Sequence, residues 1–247
     1  MLKLNQQQMA GLECVWLLKF EEHIFQQVVE AFPTHYRVLG TTPLRATIHL
    51  GFTRAGSYGF RFKRSLRTYV DLMFMLGSGF DTDPQLPWAA AALANPLCKD
   101  EVERTDLLFS AANAYLMNVT GPSNEHLLDA LVRARTMVLS TGLTVEEVAP
   151  PLLQVLMPTK YDKLGPEGIA RLLQHGRKAA ARYGITAADG VTLYVTLMFI
   201  MGASFDEDPL APWAASILTD PTIPDEHARA KRLHAVALST MEAWFEC

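Results

Sequence analysis

Apolar residues recur along most of the chain at three- and four-residue intervals, the spacing that gathers them on one face of an α-helix. Met9, Leu12, Val15, Trp16 and Leu17 open such a pattern. It has to end before Pro33, because the residue preceding a proline is held out of the helical region. Thr42 and Pro43, a capping hydroxyl followed by proline at the first helical position, predict a second helix that stops near Gly56 or Gly59. A third covers about Lys63 to Leu76 and is closed by Gly77; a fourth starts at Asp83 and Pro84 and runs through Trp88 to about Ala94; a fifth spans about Asp100 to Met117. Later in the chain, Thr144 with Glu147 and Thr186 with Asp189 read as capping-box starts, and Asp225 to Phe245 mirrors the fifth helix. Neither an alternating strand pattern nor an Asn-Gly hairpin is evident. The expected fold class is all-α.

The chain also matches itself without a gap at an offset of 125 residues. Tyr69 to Pro96 lies over Tyr194 to Pro221 with 16 of 28 positions identical, more than chance produces. Upstream, Phe32 to Gly40 pairs with Met157 to Gly165, Gly51 with Gly176, and Tyr58 with Tyr183; downstream, Arg104 meets Arg229 and Leu108 meets Leu233. This reads as a tandem duplication, with unit 1 over residues 1–120, unit 2 over 121–247 and a join at Val119 to Ser123. Each unit is expected to hold about five helices. The segments around Leu72 to Met75 and Leu197 to Ile200 are apolar on every side, so the pair is expected to pack about a pseudo-twofold axis as an isologous dimer does.

Composition narrows the function. Lys and Arg (22) fall short of Asp and Glu (26), giving a net charge of −4, so no global basic field is available for nucleic acid or an anionic membrane. Cys14, Cys98 and Cys247 are odd in number and far apart, which excludes a disulfide framework or a metal knuckle and suggests a reducing compartment. The N-terminal segment lacks the apolar core of a signal peptide, and no apolar run reaches the ~18 residues of a membrane span. The expectation is a cytoplasmic protein without membrane insertion.

The most conspicuous motif is GxxFDxDPxxPW, comprising Phe80, Asp81, Asp83, Pro84, Pro87 and Trp88 in unit 1 and Phe205, Asp206, Asp208, Pro209, Pro212 and Trp213 in unit 2. Paired carboxylates suit a calcium loop or acid–base chemistry. An EF-hand, however, needs Gly at its sixth position and Glu at its twelfth, where counting from Asp81 gives Leu86 and Ala92. No histidine, serine nucleophile or cysteine accompanies the pair locally. The favoured reading is structural: an aspartate caps the next helix, proline occupies its first turn, and Phe and Trp clamp the loop to the core. Histidines 23, 35, 49, 126, 175, 227 and 234 form no zinc spacing, and no Walker loop, nucleophile elbow or dinucleotide fingerprint is present. No cofactor, metal site or catalytic residue is expected, and the chain is read as a non-enzyme.

Divergence between matched positions reports what a duplicated copy is free to change. The sharpest case is Arg61, Lys63, Arg64 and Arg67 against Thr186, Ala188, Asp189 and Thr192. By halves, residues 1–120 carry 11 cations and 11 anions, whereas 121–247 carry 11 and 15. Cations at a helix start oppose its dipole, so this cluster is a candidate partner-binding patch for an acidic protein surface. The alternative is a solvated helix end, or one paired with the protein's own acidic residues.

The string around Tyr183, Thr186, Asp189, Tyr194, the Leu-Met-Phe segment and FDxDPxxPWA resembles a group of bacterial proteins encoded beside type VI secretion spike, effector and adaptor genes. The resemblance covers most of each unit, and the doubled unit departs from the single-unit form of that group. It implies an accessory chaperone or adaptor that binds a secretion effector or that effector's adaptor. The alternative is a cytoplasmic immunity protein that binds and neutralises a toxin effector.

Overall fold

The computed structural model describes the backbone of residues 6–135 and 142–245 and the side chains of residues 19–135 and 142–244. The side chains of Met9, Leu12, Cys14, Val15, Trp16, Leu17 and Cys247 lie outside these limits. Among the described residues the fold is all-helical, with twelve helices: α1 (Gln6–Ala31), α2 (Pro33–Leu39), α3 (Thr41–Ser57), α4 (Lys63–Leu76), α5 (Pro87–Leu93), α6 (Glu101–Val119), α7 (Glu125–Arg135), α8 (Val145–Leu156), α9 (Pro158–Ala181), α10 (Ala188–Met201), α11 (Pro212–Leu218) and α12 (Glu226–Phe245). No helix among the described residues is long and apolar enough to cross a membrane.

Six helices precede Gly121 and six follow it, one more per half than the apolar spacing suggests. In the first half the extra one begins at proline, where Pro33 starts a short α2 and Gly40, at φ 72°, separates it from α3; in the second half it is α7, which precedes the Thr144 start. The same break falls inside α9, where Gly165 leaves the helical region at φ 64° before Pro166. Three expected starts move. Thr42 is not a cap: α3 begins at Thr41 after Gly40, without a side-chain cap, and Thr42 and Pro43 lie within its first turn. The fourth helix begins at Pro87, not Asp83, because the Asp83 carboxylate accepts the Gln85 N–H at 2.8 Å and closes a separate turn ahead of it. At α10, the cap comes from Glu226 on α12, whose carboxylate accepts the Thr186 and Ala187 backbone N–H groups at 2.5 and 2.9 Å. Glu101 on α6 serves α4 in the same way, through Arg61 N–H at 2.7 Å and Phe62 N–H at 3.1 Å. The box at Thr144 forms as expected, with Glu147 accepting from its backbone N–H and its hydroxyl, both at 2.8 Å.

Buried apolar side chains form two clusters. One contains Ile24, Leu44, Ile48, Tyr69, Met73 and Phe80 from α1, α3, α4 and the following loop. The other contains Leu153, Leu172, Tyr194, Met198, Phe205 and Leu233. Each borrows from across the chain: Leu210 sits in the first and Val119 in the second. The loops after α4 and α10 meet between the clusters. Gly77 and Gly202, at φ 94° and 108°, end those helices in a conformation that disfavours side chains. A Cβ on Gly77 would also come within 3.1 Å of the Met201 carbonyl oxygen, so glycine serves both the turn and the close approach.

Candidate functional site

The FDxDPxxPW segments lie at this meeting point, and their four aspartates are buried. The first of each pair faces its own half. Asp81 accepts hydrogen bonds from the Tyr58 and Tyr69 hydroxyls at 3.0 and 2.7 Å and pairs with the Arg54 guanidinium. Asp206 accepts from the Tyr183 hydroxyl at 3.0 Å and from Arg182 at 2.7 Å. The arginine has moved: Arg54 matches Ala179 at the 125-residue offset, whereas Arg182 matches Ser57, one helical turn on. Each half thus holds a Tyr–Asp–Arg set with its cation at a different position. Burial and the adjacent carboxylate push Tyr58 and Tyr183 each up to about 12. Both are neutral donors at physiological pH.

The second aspartate of each pair reaches across the chain. Asp83 Oδ2 accepts the Ala203 N–H at 2.8 Å, and Asp208 Oδ2 accepts the Ser78 N–H at 2.8 Å. The remaining oxygens accept Gln85 N–H and Leu210 N–H, each at 2.8 Å. Burial raises the Asp208 carboxyl above its ordinary value, opposed by the Leu210 and Ser78 backbone donors. Phe80 and Phe205 are almost fully buried, and Pro87 and Pro212 begin α5 and α11. Pro84 and Pro209 are half-buried in the turns before them. Trp88 and Trp213 are only half-buried, not enclosed as core clamps, and their indole nitrogens are buried without hydrogen-bond partners.

A central cavity of about 190 Å³ lies beside these turns, lined by residues of both halves that include His35, Asp83, Tyr115, Lys160, Asp208 and Trp244. A histidine therefore does border the motif carboxylates. Asp83 and Asp208 nevertheless hold backbone donors on both oxygens, and no group of three or more His, Cys, Asp or Glu among the described residues could hold a metal. His35 and Lys160 occupy matching positions and are the least expected members. Lys160, 8% exposed, donates to the Phe199 carbonyl; burial pulls it down to about 8, with the Asp83 charge opposing. His35 is lowered by burial, opposed by a hydrogen bond to the backbone of Phe74, the match of Phe199, and it stacks on Trp244 at 5.5 Å. The apolar pattern hides both residues because a basic side chain on a helix normally reads as solvent-facing; only their equivalence at the 125-residue offset marks them.

Three of the four cations of the basic cluster have contacts within the protein. Arg64 pairs with Asp106 at 2.5 Å, and Arg67 holds Asp71 at 2.7 Å and the Gln27 side chain. Lys63 lies 5.6 Å from the Phe20 ring centre. Arg61 is exposed beside Phe62, which is 57% exposed despite its apolar side chain. Arg67 is thus paired within the protein, Arg64 shares an exposed pair with Asp106, and Arg61 and Phe62 are the outward part of the patch. No protein-family model matches the chain, and neither a curated protein nor a solved structure matches it.

Proposed function

We propose that this chain is a non-catalytic interaction protein, an accessory chaperone or adaptor for a type VI secretion effector or for that effector's adaptor, acting in the cytoplasm. The reading rests on the resemblance carried by the two FDxDPxxPWA segments. Support for binding over chemistry comes from their carboxylates, which are engaged by backbone, tyrosine and arginine donors and have little freedom to take up a substrate proton. We also infer a tandem duplication whose units, 1–120 and 121–247, pack about a pseudo-twofold axis. The supporting observation is reciprocity: Ser78 to Asp208 and Ala203 to Asp83 are one hydrogen bond written twice, each end displaced by 125 residues. An isologous contact has this form, residue i meeting j and j meeting i.

Co-purification of the tagged protein with the products of its neighbouring genes tests the proposal. Retention of an effector or its adaptor is expected; a protein that retains neither overturns the assignment. If it instead protects cells expressing the toxin without any secretion machinery, the activity is immunity, not carriage.

A further inference from the structure

A second cavity, of about 350 Å³, lies to one side of the aspartate turns, between α5, α6 and α9. Its volume is in the range of small-molecule sites. Three cations line it, Lys160, Lys163 and Arg171, and no carboxylate does. Lys160 is buried at the inner end, while Lys163 and Arg171 are exposed. Arg171 has Glu167 at 3.6 Å one turn away, but both side chains are more than half exposed, and such a pair is weak. On the opposite wall Trp88 and Tyr115 meet with ring centres 5.6 Å apart. Two polar groups on this wall lack partners: the Trp88 indole N–H and the Gln85 Oε1, the latter on a side chain 3% exposed. The Gln85 amide nitrogen is held by the Met198 carbonyl at 2.8 Å, which fixes the orphaned oxygen in place.

The repeat sharpens this observation. At the 125-residue offset, Trp88 and both prolines are kept as Trp213, Pro209 and Pro212, but the polar members are lost: Gln85, Tyr115 and Asn118 become Leu210, Thr240 and Ala243, and Lys163 and Arg171 face Val38 and Ala46. On that other side, Trp244 stacks on His35 and Arg37 donates to the Ala243 carbonyl at 2.6 Å, so chain atoms occupy the position. Structural residues recur, whereas the cations and the unpaired acceptor occur once.

We propose that the lateral cavity binds a small organic anion, a phosphate or carboxylate carried on a planar unsaturated body. Lys163 and Arg171 hold the anionic group, Lys160 adds charge from within, and the Trp88 and Tyr115 rings flank the planar part. Acidic residues are absent from the wall, which disfavours a cationic ligand, and the aromatic wall gives an organic anion an advantage over a bare one. This inference stands independently of the secretion role.

Titration of the full chain, ¹⁵N-labelled, with phenyl phosphate, benzoate, inorganic phosphate and a short Asp/Glu peptide tests it. The readout is the Trp88 indole N–H resonance, identified by its loss in Trp88→Phe, with calorimetry as a second measure that needs no assignment. Phenyl phosphate or benzoate is expected to shift that resonance saturably, and the tighter of the two assigns the anionic group. A Lys163→Glu/Arg171→Glu variant, whose two sites are exposed and leave the melting curve unchanged, is expected to weaken binding by about tenfold or more. Lys178→Glu, on the same helix but outside the cavity, keeps wild-type affinity. The proposal is overturned by the absence of saturable binding for both organic anions, by undiminished affinity in the double variant, or by inorganic phosphate binding as tightly as phenyl phosphate. Binding of the peptide alone also overturns it, since that would make the cavity a contact for an acidic partner protein.

Discussion

At the scale of single residues, the buried cation Lys160 is the least predictable choice. An ammonium with one carbonyl acceptor and a carboxylate nearby is under-compensated, and its value near 8 lies below the ordinary 10.5. The folded form therefore binds this proton less tightly than the unfolded chain. Below pH 8 both states are protonated and the burial penalty is fully present; between pH 8 and 10.5 the folded state loses the proton first and the penalty is relieved. Lys160→Met should thus compare most favourably with the wild type near neutral pH, and the wild type should gain on it by on the order of 3 kcal/mol at most as pH rises. Urea midpoints of both proteins across that range check it. Asp83, Tyr115 and Lys163 face the same region and are present in both proteins. A constant difference between the two midpoints would mean that Lys160 is not the group whose proton is released on folding.

Helix ends are where sequence and structure agree best and also where they part. Gly77 and the Thr144 box act within a few residues of the helices they bound, so local chemistry reveals them. The caps of α4 and α10 come from Glu101 and Glu226, about 40 residues away, and no local pattern could supply them. Glu101→Ala and Glu226→Ala should each cost about 1 kcal/mol, the usual worth of a cap, while Thr186→Ala should cost much less, as its hydroxyl lies 3.4 Å from Glu226. Denaturant unfolding of the three variants separates these roles. Being half-buried with unpaired indole nitrogens, Trp88 and Trp213 should cost on truncation to Ala about 2–3 kcal/mol, less than the 3–5 kcal/mol of an enclosed aromatic.

The basic patch belongs to the same scale, because α4 decides which cations are available. Arg67 is three-quarters buried against Asp71 and Gln27, so reversing it to Glu should lower the melting temperature. Reversing Arg61 and Lys63 should leave the fold intact and, if this end of α4 meets an acidic partner, weaken that complex by more than about 1 kcal/mol with a steeper loss in salt. Unchanged affinity would remove the patch from the interface. The candidate site in the sequence was therefore only partly readable. A run of cations in eight residues attracts notice, whereas Lys160, Lys163 and Arg171 are spread along α9 and converge with Trp88 and Gln85 only after folding.

For the whole molecule, the all-helical class follows from apolar spacing alone, but the relation between the halves depends on contacts 120 and 130 residues apart in sequence. Two apolar clusters could unfold separately, like beads. Against that, each cluster takes in a residue from across the chain, Leu210 or Val119, and two buried carboxylates bind backbone N–H groups of the opposite loop. Opening the junction would strip Asp83 and Asp208 each of one of its two backbone donors and expose the apolar walls of the central cavity. Such linked losses are what make unfolding all-or-none. The intact chain should therefore melt in one transition whose calorimetric and van't Hoff enthalpies agree. In Asp83→Asn/Asp208→Asn each amide can turn an N–H₂ toward a backbone donor, and every broken charge-assisted hydrogen bond should cost roughly 1.5–3 kcal/mol. Because these bonds join the clusters, the double variant should broaden or split the transition, and its loss should differ from the sum of the single losses. Two resolved transitions in the wild type, or strictly additive single variants with a still-sharp melt, would show that the carboxylates stabilise their own loops without coupling the halves.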